Sequence, residues 1–251
     1  MKLAFSRPTR SQEEQRLLFE SFRAVGYDGL QLKAGQYLPY LDEPQRFLDV
    51  WGQQPGVASG LIFYHPLDDE GCAILRKCFR FGAQVGTQQV IFVDNQPRAG
   101  DTTAQIRQSA ALLSTLGNEA RDQGITLTLH HHFNQPVMHR EEIKLFFDAA
   151  QAGAVGLTVD TAHLVKSGIQ DVAALLRDFR QVIANLHLKD YADGEWRVLG
   201  HGKIDFNSIF AALQEISYDG WICADEESGG DLINGMKECY QFMAGGLQAR
   251  A

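Results

Sequence analysis

The chain has 251 residues, of which 45% are hydrophobic and 22% charged, a balance that excludes a disordered chain. Its net charge of −8 disfavours a protein whose task is to grip phosphate backbones, and no apolar run approaches the roughly 18 residues of a membrane span. The opening MKLAFSRPTR has too short an apolar stretch for a secretory signal, and Cys72, Cys78, Cys223 and Cys239 form no CxxC pair, so a reducing cytoplasm with free thiols is expected.

Short β-like runs alternate with longer helix-like segments. A run at 2–6 leads into a helix over 11–25 that opens on a capping box, Ser11 and Glu14. A run at 29–33 precedes a helix over 43–53, 57–63 precedes 71–86, and 89–93 precedes 102–123. Then 125–131 precedes 141–153, 155–160 precedes 171–179, 183–188 precedes 207–216, and 221–225 precedes 231–243. Most of the short runs are apolar without strict alternation, as in parallel strands covered on both faces. Gly26, Gly86, Gly124 and Gly153 stand where helices must stop. Eight such units in this length predict one (β/α)8 TIM barrel domain over 1–251. A doubly wound open sheet lacks support, because no GxGxxG follows the first run.

In such a barrel the chemistry collects at the C-terminal ends of the strands. The third run ends at His65 and the fourth at Asp94. The fifth ends in His130, His131 and His132, and the sixth in Asp160, with His163 three residues on. The seventh carries His187, Lys189 and Asp190, and the eighth Asp225, Glu226 and Glu227. Side chains alternate along a strand, so His130 and His132 share a face, as do His187 with Lys189 and Asp225 with Glu227. Singly, each has an ordinary reading: Asp160 as a helix cap, 225–227 as a solvated acidic turn, Lys189–Asp190 as a surface pair. Jointly, imidazoles and carboxylates on four successive strands point to a shared divalent metal.

Five segments in order resemble the sugar isomerase/epimerase superfamily with the xylose-isomerase-like barrel: GYDGLQL at 26–32, LTVDTAH at 157–163, NLHLKD at 185–190, LGHGKIDF at 199–206 and YDGWICADEE at 218–227. The LHHHF run at 129–133 is similar to inosose dehydratases, where many isomerases and epimerases have Glu at the position of His130. The resemblance implies metal ligands at His130, Asp160, His187 and Asp225, with Glu227 as the alternative on the eighth strand. It implies substrate contacts at His163, and His65, His201 and Lys189 are further candidates for holding substrate oxygens. Glu227, His132 and Lys189 are the candidate catalytic residues, the first two for moving protons.

The chemistry implied is loss of a proton next to a carbonyl, with a Lewis-acid metal stabilising the enediolate. Dehydration of a keto-polyol and isomerisation or epimerisation of a sugar both follow from it. The mixed nitrogen and oxygen ligands suit Mn2+, Co2+, Fe2+ or Zn2+. A small sugar or polyol is the expected partner, without nucleic acid or membrane, and a homo-oligomer is left open. Two other readings stand beside this one. A trinuclear-zinc abasic-site endonuclease would use His65, Asp160, His163 and His187, but its further ligands are missing from YADGEWR at 191–197. A sugar-binding barrel without catalysis would account for the departures at Gln31, His130, Asp225 and His201, four positions where the family commonly has Glu. Phe5, Tyr37, Phe63, Phe92 and Trp196 are candidates either for the apolar side of the pocket or for barrel packing.

Overall fold

Each strand-like run carries two interleaved rows of side chains, and the two rows have different fates. In the computed structural model, which describes residues 1–249, one row packs outward against helices and the other fills the inside of a closed barrel. The elements are β1 (Lys2–Ser6), α1 (Gln12–Val25), β2 (Gly29–Leu32), α2 (Ala34–Tyr37), α3 (Pro44–Trp51), β3 (Gly60–His65), α4 (Asp69–Val85), β4 (Gln89–Asp94), α5 (Thr103–Arg121), β5 (Thr126–His130), α6 (Arg140–Ala149), β6 (Gly156–Asp160), α7 (Thr161–Lys166), α8 (Val172–Phe179), β7 (Ile183–Leu188), β8 (Asp190–Ala192), β9 (Glu195–Arg197), α9 (Phe206–Glu215), β10 (Trp221–Asp225) and α10 (Leu232–Gln248). The barrel closes in the order β1-β10-β7-β6-β5-β4-β3-β2, all parallel, so the predicted (β/α)8 barrel is the observed fold.

The outward row supplies the main core. Phe5, Leu30, Leu61, Phe63, Phe92, Leu129, Val159, Leu188 and Ile222 are buried there with the apolar stripes of the helices. Burying each such side chain stabilises the fold by about 1.5–3 kcal/mol. Phe5, Phe63, Phe92 and Tyr37 belong to this layer, so packing is their role. The inward row is much less apolar. Its small hydrophobic groups are Ala4, Trp221 and Cys223 on one side and Ile62, Ile91 and Val93 on the other. Between them Gln31, Gln89, Thr128, Thr158 and Asn185 are buried and bonded to one another.

Local details differ from the sequence-based expectation, among them two further short helices, α2 and α7. Strand β3 begins at Gly60, not at 57, because Gly56 at φ +84° starts a turn in which Ser59 N donates to Gly56 O. Half of the first capping box forms: Glu14 N donates to Ser11 Oγ at 3.1 Å, while the Glu14 carboxylate turns to Arg10 N. A hairpin, β8–β9, follows β7, and its turn holds Asp193 and Gly194 at φ 55° and 89°. An Asp-Gly pair with both residues at positive φ is the ordinary two-residue hairpin turn, so this signal was present in YADGEWR.

Candidate active site

Strand ends place the chemistry. His130 closes β5, His187 lies on β7, and Asp225 closes β10. Asp160 ends β6 and also caps α7: its Oδ1 accepts from Ala162 N at 3.0 Å and His163 N at 2.9 Å. That leaves Oδ2 buried without a hydrogen-bond donor. It faces His130 Nε2 at 3.5 Å and His187 Nδ1 at 4.0 Å. One ligand atom from each of His130, Asp160 and His187 lies within 4.8 Å of the others, and all three residues are buried. Bonds of about 2.0–2.2 Å to a first-row divalent ion hold adjacent donors roughly 3–4 Å apart. A buried carboxylate oxygen and a buried imidazole nitrogen, both unpartnered and turned to one point, fit such an ion.

Asp225 stands at the margin of this group. Its Oδ2 is 3.8 Å from His187 Nδ1, but both its oxygens are engaged, Oδ1 by Lys33 Nζ at 2.6 Å and Oδ2 by Lys189 Nζ at 2.8 Å. Glu227 joins the same two lysines at 2.8 and 2.7 Å. Burial opposes the charge on Asp225, but Lys189 and Lys33 outweigh it and hold the carboxyl well below the usual range. Burial likewise opposes the charge on Lys189, and Asp225, Asp160 and Glu227 together raise it above an ordinary lysine. Burial pushes the His187 imidazole down to about 3, so at neutral pH its ring is uncharged and keeps a lone pair.

Lys33, His130, His187, Lys189, Asp225 and Glu227 line a pocket of about 410 Å³ at the C-terminal mouth, together with Ile62, Tyr64, Val93, His132 and His163. His132 and His163 lie ring against ring, 3.8 Å between centroids, on the wall above His130. Trp196 of β9 closes on His163 at 5.1 Å and lies 5.1 Å from Lys189 Nζ. His131 points to the other side, where its Nε2 accepts from Asp160 N at 3.0 Å. Glu226 also turns away and pairs with Arg7 at 2.6 Å.

Two expected substrate residues lie elsewhere. His65 is not in the pocket: its ring stacks on Phe63 and its Nδ1 meets Pro66 O at 3.0 Å, in the outward row. Because β3 runs on to residue 65, alternation gives the inward place to Tyr64 instead. His201 is also outside, with a side chain 64% exposed and 3.2 Å from Glu238. The glycine loop there wraps the Asp190 carboxylate with the backbone N–H groups of Gly200, Gly202 and Ile204, which leaves the residue 201 side chain facing solvent. Conversely, Lys33, which is not among the candidates named from the sequence, lines the pocket. Its signal was alternation, since Gln31 and Lys33 share the inward face of the second strand run.

The loop bearing His132 is clamped from behind. Glu142 of α6 accepts from Met138 N and His139 N at 3.0 and 2.8 Å, from Thr102 Oγ1 at 3.0 Å and from Nη1 and Nη2 of Arg98. Burial would raise this carboxyl, but Arg98 and the backbone donors lower it to about 2. The unfolded chain keeps a value near 4.3. The depressed folded value therefore adds stability above that pH, on the order of 2–3 kcal/mol, lost as pH falls from about 5 to about 2. Unfolding free energies of wild type and Glu142→Gln should differ by about that much at pH 7 and converge near pH 2. An equal gap at both ends of the range would rule this account out.

Fold and mouth together define a (β/α)8 barrel with a candidate cation site at the C-terminal ends of its strands. The family model of the xylose isomerase-like TIM barrel matches residues 19–244, and the chain belongs to that family. It is similar to the inosose dehydratase of Clostridium beijerinckii, 32% identical over 141 residues that cover 49% of this chain and 47% of that one. To the inosose dehydratase of Lacticaseibacillus casei it is 31% identical over 153 residues, 53% of this chain and 50% of that one. The chain thus spans about half the length of the curated relatives it matches. Among solved structures, the IOLI protein with a binding zinc atom superposes with a TM-score of 0.83 at 17% identity, covering 100% of this chain and 99% of that one. L-ribulose 3-epimerase gives 0.80 at 19% identity, covering 99% and 95%. At these identities the likeness bears on the fold. No helix among the described residues is long and apolar enough to cross a membrane.

Proposed function

We propose that this chain is a divalent-metal-dependent enzyme that removes the proton next to the carbonyl of a sugar or polyol ketone, and that its reaction is dehydration of a keto-polyol of the inosose kind. The observation that carries the reading is the set of converging donor atoms of His130, Asp160 and His187, two of them buried and unpartnered. Asp225 is the candidate fourth ligand. A divalent ion such as Mn2+, Co2+, Fe2+ or Zn2+ held by these residues would supply Lewis-acid chemistry beside the substrate carbonyl. The inosose dehydratases similar to this chain and the zinc in the IOLI protein support the substrate class and the cofactor.

The remaining residues handle oxygens and protons. His132 Nδ1 lies 2.8 Å from Phe133 O, so that nitrogen carries the hydrogen and Nε2 is left as an acceptor. Burial and the neighbouring His130 lower its imidazole to about 4, which keeps it neutral and able to take a proton. Lys33 and Lys189 present ammonium groups to substrate oxygens, and Glu227 between them is the second proton-handling group. A substrate hydroxyl leaving as water needs a proton delivered to it; at this edge the ammonium groups of Lys33 and Lys189 carry the protons, and Glu227, held ionised between them, accepts. Epimerisation is the second reading, favoured by one feature: His132 and Glu227 stand on walls separated by β6 and β7, as two-sided proton exchange requires.

The deciding experiment is elemental analysis followed by a panel of keto-inositols and ketoses in deuterated water. About one divalent ion per chain, deuterium exchange next to the carbonyl and loss of water from a keto-inositol are expected. Exchange with an epimeric product and no loss of water would favour the second reading. No ion after incubation with Mn2+ or Co2+ would leave a binding barrel, and two or three zinc ions with nicking of abasic DNA would leave a nuclease.

A further inference from the structure

Below the candidate metal site the inward row forms a chain of buried amides whose directions depend on one another. Gln31 Nε2 donates to Asn185 Oδ1 at 2.8 Å, and Gln89 Nε2 donates to the same oxygen at 3.1 Å. Asn185 Nδ2 faces Thr158 Oγ1 at 3.4 Å, and Thr158 is bonded to Thr128 at 2.6 Å. With its nitrogen used in this way, Gln31 turns Oε1 to His187 Nε2 at 2.8 Å. An amide oxygen only accepts, so His187 Nε2 carries the hydrogen, and a neutral ring then has its lone pair on Nδ1. Nδ1 is the nitrogen that faces Asp160 Oδ2 and Asp225 Oδ2 and has no hydrogen-bond partner. The opposite tautomer would require Gln31, Asn185 and Gln89 to turn together.

We infer that Gln31 is a positioning residue that fixes His187 as the Nε2–H tautomer and aims the Nδ1 lone pair into the cation site. The inference rests on the metal-centre reading given under Proposed function. A metal-binding histidine almost always donates its other N–H to an acceptor, and loss of that acceptor weakens metal binding about ten- to a hundredfold. Here the acceptor is uncharged. That suits a site floor already crowded by Asp160 and Asp225, where a further carboxylate would add a third buried negative charge.

The test uses protein with 15N-labelled histidines, with the His187 signal assigned from the His187→Gln variant. Long-range proton–nitrogen spectra of metal-free wild type should show His187 as the Nε2–H form. Gln31→Leu should lose that single tautomer and bind Co2+ about ten- to a hundredfold more weakly than wild type. An Nδ1–H form in wild type overturns the inference whether or not the leucine variant folds, and so does Co2+ binding by Gln31→Leu as tight as wild type. A fixed Nε2–H form in a wild type that takes up no Co2+ would overturn the metal-centre reading while supporting the tautomer assignment.

Discussion

Asp160→Asn is expected to abolish metal binding while leaving the fold in place. Asparagine retains a carbonyl oxygen to accept from Ala162 N and His163 N, so the cap of α7 survives. The change falls on the other atom. Oδ2, which faces His130 Nε2 at 3.5 Å and Lys189 Nζ at 3.9 Å, becomes an NH2 group with no lone pair to offer. Metal content should drop from about one ion per chain to under a tenth. Turnover should fall on the order of a thousandfold, since a Lewis-acid ion contributes several kcal/mol and each 1.4 kcal/mol is a factor of ten. Asp160→Ala should lose metal equally and also lose the cap, making it about 1 kcal/mol less stable than the asparagine variant. Elemental analysis beside thermal melts reads both effects. Full metal content in Asp160→Asn would exclude this carboxylate as a ligand.

The barrel was legible in the sequence because its signals are local. Apolar runs, glycines that end helices and a count of eight units each follow from nearest-neighbour geometry. The candidate cluster was legible for a related reason. Strand ends are where a parallel barrel gathers its polar groups, and alternation alone separates His130 from His131 and Asp225 from Glu226. The misplacements have physical causes too. Placing the third strand at 57–63 made His65 a residue beyond its end, whereas β3 reaches residue 65 and turns that side chain outward. His201 was read from its place in a glycine loop, but the loop's contacts to Asp190 are made by backbone N–H groups and say nothing about side chains. Lys33 and the Gln31–Asn185–Gln89 chain depend on partners 96 to 194 positions away, which periodicity cannot pair.

The second large effect is expected on stability. Lys189 Nζ is buried between Asp225 at 2.8 Å and Glu227 at 2.7 Å, with Asp160 at 3.9 Å. Lys189→Met keeps most of the stem's volume and removes the charge, so Lys33 alone remains to face Asp225 and Glu227. Removing one partner of a buried ion pair costs about 3–5 kcal/mol, which in a chain of this size lowers the melting temperature by roughly 6–20 °C. The pH dependence has a definite sign. The depressed carboxyls contribute stability above their unfolded values near 4, lost as pH falls through their folded values. The raised lysine contributes stability below its unfolded value near 10.4, lost as pH rises through its folded value. The gap between wild type and variant should therefore be widest between about pH 5 and pH 10 and narrow on either side. A divalent cation restores positive charge beside Asp160 and Asp225, so saturating Mn2+ should raise the melting temperature of Lys189→Met more than that of wild type. The two variants then move in opposite senses, one losing the cation and the other depending on it more. A metal-free Lys189→Met that melts within about 2 °C of wild type would mean that Lys33 alone balances the acidic edge of the pocket.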